Sequence, residues 1–291
     1  NWNQAIKNLH ASEDSKNINS KSYRRLVFDE ICANFITLSE NRKIVKRNKK
    51  NKLFRESISK KIINNLNFEL TGDQLKVLKE INSDLKSDKR MFRIMQGDVG
   101  SGKTIVSMLS LANVIESNYQ CALMGPTEIL AYQHFKLALK IFNNNNFKIE
   151  FLSGKTETRK RKEILRKLKE GKIDLLIGTH ALFQKKIEFK KLGYVVIDEQ
   201  HKFGVKQRSD FAKKGGINCD VLLMSATPIP RTMMMSHYGD MDVSKITEKP
   251  SARKKITTLS KPEKKINELW NFLTKQIAEK NQIFWVCPLI E

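Results

Sequence analysis

The residues Gly97 to Thr104, with the sequence GDVGSGKT, match the pattern G-x-x-x-x-G-K-[ST] at every fixed position. In this pattern the glycines let the backbone curl so that its N–H groups point at phosphate oxygens. A lysine at the position of Lys103 reaches the β and γ phosphates of a nucleotide, and a hydroxyl at the position of Thr104 binds Mg²⁺. The alternative is a glycine-rich turn that only joins a strand to a helix. We predict a catalytic Lys103, a magnesium ligand in Thr104, and a phosphate cradle formed by Gly97, Asp98, Val99, Gly100, Ser101, Gly102, Lys103 and Thr104.

A second polar group, Asp198-Glu199-Gln200-His201, directly follows the apolar run YVVI. Carboxylates are rarely buried without a partner, so these acids should lie at the exposed end of a strand and face a positive group. A nucleotide-bound Mg²⁺ is such a group. Asp198 is predicted to hold the ion through its water shell, and Glu199 to orient the attacking water. A surface acid pair after a strand is the alternative.

Three further predicted strand ends carry small and hydroxyl residues. GPTE (125–128) and GTH (178–180) each precede a predicted helix. Helix N-termini bind backbone phosphates without reading sequence, although each loop alone would be no more than a helix cap. The nucleic-acid candidates are Thr127, Gly178, Thr179 and His180. In SATP, the residues Ser225, Ala226 and Thr227 are candidates for coupling the nucleotide side to the nucleic-acid side.

The elements that position these residues are short apolar strands, which alternate with helical stretches from Met91 onward. Strands that are apolar on both faces predict a parallel sheet covered by helices, an α/β fold whose ligands gather at the carboxyl ends of the strands. The predicted strands are 91–95, 121–125, 148–152, 173–178, 194–198 and 221–225. The helix after the cradle should bury the stripe Ile105, Met108, Leu109, Ala112 and Ile115.

The flanking segments differ in pattern from this domain. Residues 20–40 carry a helical apolar stripe of Tyr23, Val27, Ile31, Phe35 and Leu38, which should pack on another element. The run 41–61 either continues this helix or loosens into a basic connector. In both cases it is predicted to be solvated and positive, and to contact a phosphate backbone or nothing. Beyond residue 240 a polar stretch precedes a helix (268–278) and a final strand (282–288). We predict a helical lead-in with a basic connector (1–66), a first lobe (67–248), and a linker with the beginning of a second lobe (249–291).

Composition narrows the class of partner. Among 291 residues, 54 Lys and Arg outnumber 31 Asp and Glu, which gives a net charge of +23. This charge favours a polyanion such as nucleic acid as the partner, although a basic chain can be merely soluble.

Other features of the composition concern the environment of the protein. No apolar run approaches the roughly 20 residues that cross a bilayer. Cys32, Cys121, Cys219 and Cys287 form no CxxC pair, which favours a reducing compartment and buried thiols over a metal site. The first residue is not Met, so we expect a piece of a longer protein.

Taken together and in order, GDVGSGKT, GPTEILAYQH, GTHALFQ, VIDEQHKFGVKQR and SATPIPRT resemble the motif series of superfamily 2 helicases, and more narrowly the RecG family. The segments RRLVFDEICANF, FELTGDQLKVLKEI and QIFWVCPLIE are also similar to that family. The resemblance implies a RecA-like P-loop NTPase fold with ATP and Mg²⁺ as cofactors. It implies branched DNA (stalled forks and Holliday junctions) as partner, in a monomer of the bacterial cytoplasm associated with the nucleoid.

The same resemblance implies roles for individual residues. Thr71 and Gln74 match residues that contact adenine, while Gln200 and His201 complete a DEQH box, with His201 linked to Ser225 and Thr227. His134 and His237 have no match and are interpreted as packing or surface residues. Lys202 replaces a usual Arg, which keeps the charge but loses a bidentate fork. The later motifs of the second lobe and the amino-terminal wedge domain are missing from the chain, so we expect it to be incomplete as a motor.

Three alternatives remain at this point. A transcription-repair coupling translocase has a motor that resembles that of RecG. A nucleic-acid-binding module that has lost catalysis would keep the fold, but it would not need Lys103, Thr104, Asp198 and Glu199. RNA is a possible substrate because phosphate contacts barely distinguish the two nucleic acids.

Overall fold

A parallel seven-stranded sheet forms the centre of the chain, with the strand order β3-β4-β2-β5-β6-β1-β7. The computed structural model describes residues 1–11, 18–46, 48–184, 187–198, 218–227, 241–249 and 256–286. Two compact units divide the chain, Asn1–Pro250 and Ser251–Glu291, and the sheet lies in the first. Within the described ranges, every helix is too short or too polar to span a bilayer.

The strands are β1 (Phe92–Gly97), β2 (Gln120–Met124), β3 (Ile149–Leu152), β4 (Leu175–Gly178), β5 (Leu192–Ile197), β6 (Asp220–Ser225) and β7 (Asp242–Ile246). The helices of the first unit are α1 (Trp2–Ala11), α2 (Lys21–Val45), α3 (Ser57–Asn64), α4 (Gly72–Lys86), α5 (Lys103–Glu116), α6 (Glu128–Ile141) and α7 (Thr158–Glu170). The second unit contains a 3₁₀ turn, Glu263–Lys265, and α8 (Ile266–Ala278).

The six predicted strands are confirmed, with ends that differ by a few residues, and the sheet is parallel as predicted. Strand β7 was missed. It lies at the sheet edge beside β1, and only Ser244 and Ile246 of its residues are buried, so its sequence lacks the continuous apolar run of the central strands.

The strand predicted at 282–288 is wrong for its described part, since residues 282–286 form no strand. Strand backbone needs a hydrogen-bonded neighbour, and no described strand pairs with this segment. Within this unit the rings of Trp270 and Trp285 stack, with their centroids 5.1 Å apart.

Helix α5 is the centre of the core. The predicted stripe is confirmed, because Ile105, Met108, Leu109, Ala112 and Ile115 are all buried. The helix packs against β1, β2 and β5 on the sheet side and against α3 and α4 on the other. Two side-chain hydrogen bonds lie inside this layer: Ser110 Oγ lies 3.0 Å from Tyr194 Oη, and Asn113 Nδ2 donates to Asn82 Oδ1 at 3.0 Å. Because α5 is packed on both sides, the position of the loop at its N-terminus is fixed as well.

Helix α2 is confirmed, but the predicted packing of its stripe is wrong in part. Ile31 and Phe35 remain 48% and 42% exposed. The described neighbour of α2 is α1, which is too short to cover a helix of 25 residues.

The run 41–61 first continues α2 to Val45, and most of its described residues are exposed as predicted, but two of its lysines correct the prediction of a wholly solvated segment. The side chains of Lys49 and Lys52 are fully buried beside Asp220 at the amino-terminal edge of the sheet. Lys49 Nζ donates to both carboxylate oxygens of Asp220, at 2.8 and 2.7 Å, and to the carbonyls of Asp84 and Leu85 in the last turn of α4. Desolvation by burial lowers the pKa of Lys49. The connector therefore ties α4 to β6 with charges that sequence alone assigns to the surface.

Substituting Asp220 by Asn should destabilise the protein by about 3–5 kcal/mol, because two buried ammonium groups lose their counter-charge while the shape is kept. The measurement is the free energy of unfolding in urea. The matched control is Asp242→Asn, which removes a partly exposed pair with Lys46 and should cost about 1 kcal/mol or less. Equal losses in the two variants would contradict a structural role for the buried pair.

Candidate active site

The predicted phosphate cradle is a loop between β1 and α5. Gly100 and Gly102 have φ of 77° and 88°, in the left-handed region that glycine tolerates best. The turn closes through a hydrogen bond from Ser101 N to Asp98 O, at 3.1 Å. A Cβ on Gly102 would lie 2.2 Å from Gln74 Nε2, so any side chain there would displace the Gln74 amide as well as strain the backbone.

The N-terminus of α5 carries the features of an anion site. No side chain caps the helix at Gly102, and its first turn contains no acidic residue. The N–H groups of a first helical turn and the helix dipole favour negative charge. Beside them, the hydroxyl oxygen of Ser101 is buried and has no hydrogen-bond partner. These residues fit a bound phosphate, which would supply acceptors for unpaired donors.

Lys103 lies within the same loop, at the first position of α5. Its Nζ donates to the carbonyls of Gly97, at 2.7 Å, and Asp98, at 3.0 Å, and the residue is only 8% exposed. The ammonium group is therefore held inside the cradle loop by backbone carbonyls of the same loop that would surround a phosphate.

The residues predicted to contact adenine form the N-terminal cap of α4. Thr71 Oγ1 accepts from Gln74 N, and Gln74 Oε1 accepts from Thr71 N, which is a capping box. Gln74 Nε2 also donates to Ser101 O, at 2.8 Å. The structure thus brings Thr71 and Gln74 against the cradle, with both ends of the buried Gln74 amide bonded to protein.

A second connection at the same helix end was missed by sequence analysis. Asp73 Oδ2 accepts from Thr247 Oγ1, Thr247 N and Glu248 N, and Asp73 N donates back to Glu248 Oε2. The hydrogen bond from the Thr247 hydroxyl is the largest cause that lowers the pKa of Asp73 to about 2, followed by those from the two backbone N–H groups. The segment after β7 is thereby joined to the turn that holds Thr71 and Gln74.

Asp198 follows β5 and lies, like the cradle, at the edge of the sheet formed by the carboxyl ends of the strands. Strand β6 separates β5 from β1, and all three run parallel, so their carboxyl ends coincide. The backbone N of Asp198 donates to Met124 O at the end of β2. A hydroxyl at Thr104 and a carboxylate at Asp198 are oxygen donors of the kind that Mg²⁺ prefers. The donor set fits the predicted ion.

His134 corrects an expectation. Sequence analysis interpreted it as an ordinary packing or surface residue, yet its Nε2 lies 2.7 Å from Asp198 Oδ2. It belongs to the buried face of α6 with Ala131 and Ala138. The available signal was its position: an imidazole among alanines on a buried helix face needs a polar partner.

The predicted catalytic residues Glu199, Gln200 and His201 lie outside the described residues, as do His237 and Lys202, and their roles stay predictions. Of the predicted coupling residues, Ser225 is the last residue of β6, and Ala226 and Thr227 follow it. Ser225 Oγ lies 3.0 Å from Thr227 Oγ1, while Ala226 is half-buried between them.

The two candidate nucleic-acid loops differ from each other. Thr127 is confirmed as the N-cap of α6, since its hydroxyl accepts from Leu130 N. The similar cap expected at Thr179 is wrong: GTH leads into a four-residue 3₁₀ helix, His180–Phe183, without a side-chain cap. A phosphate contact at this loop stays a prediction, and it would rest on the Thr179 hydroxyl and backbone N–H groups rather than on the dipole of a helix. Gly178 is explained by packing, because a Cβ there would lie 1.9 Å from Leu152 O.

Comparisons with known proteins agree with this arrangement. Residues 71–236 match the family model described as DEAD/DEAH box helicase. The chain is 42% identical to ATP-dependent DNA helicase RecG of Aquifex aeolicus, over 98% of this chain and 37% of that protein. Against the RecG of Bacillus subtilis it is 40% identical, over 99% of this chain and 42% of that protein. The chain therefore spans about two fifths of the length of these relatives.

A solved structure of RecG bound to a three-way DNA junction superposes with a TM-score of 0.80 at 36% identity, over 93% of this chain and 36% of that chain. The parallel sheet with helices on its faces is thus a RecA-like α/β domain.

Substituting Gly102 by Ala should lower stability by about 1–3 kcal/mol and weaken nucleotide binding, because the new methyl group is strained at positive φ and displaces Gln74 from Ser101 O. Urea unfolding and titration with a fluorescent nucleotide measure the two effects. Gly154→Ala is the control: a Cβ there meets nothing within 4 Å, and we expect a change within about 0.5 kcal/mol. Wild-type nucleotide affinity in Gly102→Ala would rule out close packing of the cradle as a requirement for binding.

Proposed function

The chain belongs to the DEAD/DEAH box helicase family as a RecG-like member, and we propose that it is the ATP-binding part of an ATP-dependent DNA helicase or translocase that remodels branched DNA. The observation that carries the proposal is the meeting of the glycine cradle and Asp198 at one edge of the parallel sheet. The whole activity belongs to a protein that contains this chain together with the remaining parts of the motor.

The cradle residues bind ATP by their backbone N–H groups and by the dipole of α5. Lys103 would exchange its carbonyl partners for the β and γ phosphates, and Thr104 and Asp198 would hold Mg²⁺. Mg²⁺, when bound, neutralises charge that develops on the phosphate oxygens. Glu199 orients the water for in-line attack on the γ-phosphate, while Gln200 and His201 link this edge to Ser225 and Thr227. Thr71 and Gln74, which cap α4 beside the cradle, recognise adenine.

DNA is the proposed partner of the GPTE and GTH loops. The net charge of +23 favours a polyanion, and Thr127 presents the N-terminus of α6 at the same sheet edge as the cradle. Contacts at such termini reach backbone phosphates and carry no base sequence. Branched DNA is favoured over linear duplex because of the similarity to the RecG that was solved on a three-way junction.

The proposed organisation is a helical lead-in at 1–66, a first RecA-like lobe at 67–248, and a linker with the beginning of a second lobe at 249–291. We place the protein in the bacterial cytoplasm, associated with the nucleoid, as a monomer. The support is the bacterial origin of the similar RecG proteins.

Lys103→Ala should abolish ATP hydrolysis in the full-length protein, whereas Glu199→Gln should stop hydrolysis but keep nucleotide affinity, because the two residues act at separate steps. Steady-state hydrolysis and nucleotide titration separate these effects. The exposed Lys79 of α4 provides the control, and Lys79→Ala should hydrolyse ATP at the wild-type rate. Undiminished hydrolysis in Glu199→Gln would remove that residue as the water-orienting group.

Junction and fork DNA should stimulate hydrolysis by the full-length protein more than linear duplex or RNA, and binding should weaken steeply with salt because phosphate contacts release counterions. The measurement is the ATPase rate with each nucleic acid at two salt concentrations. Stimulation by linear duplex that depends on RNA polymerase would favour a transcription-repair coupling translocase. Binding of DNA that is unaffected by a non-hydrolysable ATP analogue would favour a module without catalysis.

A further inference from the structure

The hydrogen bond between His134 and Asp198 joins α6 to the predicted magnesium ligand. The imidazole Nε2 lies 2.7 Å from Asp198 Oδ2, and the two side chains are only 10% and 13% exposed. A carboxylate oxygen accepts, so Nε2 is the donor and carries the proton. Hydrogen bonds of this kind gain strength where water is scarce.

Asp198 is held by the β2–α6 unit at two points. Its backbone N donates to Met124 O at the end of β2, and its side chain accepts from His134 on the helix that follows. The first bond fixes the position of the residue at the sheet edge. The second restricts rotation of the carboxyl group, which the backbone bond leaves undetermined.

His134 is itself held rigidly. It is 8% exposed, and the same buried helix face contains Ala131 and Ala138, which are fully buried. The helix is fixed at its first turn by the Thr127 cap and by Glu128, whose carboxylate accepts from Ser153 Oγ at 3.0 Å. Small neighbours bring α6 close to the sheet, and the imidazole spans the remaining distance to Asp198.

We propose that His134 is a positioning residue that orients the Asp198 carboxylate for Mg²⁺. It does not touch the nucleotide; it acts through Asp198. Hydrogen-bonded partners of metal-binding side chains typically contribute 10- to 100-fold to metal affinity, because they fix the orientation and basicity of the ligand. This inference rests on the proposed ATP and Mg²⁺ site.

The test compares two variants. His134→Leu has a side chain of similar size without a hydrogen-bond donor, and His134→Gln has an amide that can donate in place of Nε2. The control is Gln133→Ala, at an exposed neighbouring position on α6. In the full-length protein, a fluorescent ADP is titrated at increasing Mg²⁺ and again in EDTA. Melting temperatures show whether each variant is folded.

We expect His134→Leu to raise the Mg²⁺ concentration for half-maximal enhancement of ADP binding by about 10- to 100-fold. Affinity for metal-free ADP should change less than about twofold, since the donors for phosphate in the cradle are untouched. His134→Gln should restore most of the Mg²⁺ response, and Gln133→Ala should behave as wild type.

A wild-type Mg²⁺ response in folded His134→Leu would overturn the inference, as would an equal loss of ADP affinity with and without the metal, which would indicate a packing role. A Mg²⁺ response in His134→Gln no better than in His134→Leu would also overturn it. If His134→Leu does not fold, His134→Ala replaces it with the same expectations. Failure of the proposed function appears separately, as wild-type protein whose ADP binding ignores Mg²⁺.

Discussion

The parallel pairing of β5, β6 and β1 is the constraint on which the site depends. Because parallel strands place all their carboxyl ends at one edge, a loop that follows β1 and an acid that follows β5 meet although about a hundred residues separate them in the chain. The burial of α5 on all sides gives the cradle a fixed base. Electrostatic stabilisation of a phosphoryl group requires such preorganised donors, since they need no rearrangement during the reaction.

Neighbouring elements support the cradle and Asp198 through side-chain hydrogen bonds. Gln74 joins α4 to the cradle, and His134 joins α6 to Asp198. Asp73 joins α4 to Thr247 and Glu248 after β7. Each of these bonds ends on a proposed nucleotide or metal contact or, for Asp73, on the residue next to one. The proposed site is therefore supported by side chains of α4 and α6, and a substitution of any one of them should perturb the residue to which it is bonded.

At the opposite edge of the sheet, where the strands begin, the side chains stabilise the fold. There Asp220 gathers Lys49 and Lys52 in a fully buried group, which also bonds the last turn of α4. A buried carboxylate with two lysines is strongly coupled to the fold, because removal of the acid leaves uncompensated charge. Part of the large positive charge of this chain is thus structural, and only the remainder is available to a polyanion.

The amino-acid sequence by itself determined the α/β class, six of the seven strands found in the described residues, the buried stripe of α5 and the cap at Thr127, because these depend on local pattern and composition. It also identified the cradle and Asp198, whose residue types are tied to their chemistry. Only the tertiary structure decided the partners of Lys49, His134 and Asp73. Their contacts join residues that are 64 to 174 positions apart, and no local pattern shows which distant group will neutralise a lysine or orient a carboxylate. The sequence did not predict the edge strand β7 for a related reason. This strand has one neighbouring strand, β1, and is only partly buried, so its own sequence is largely polar.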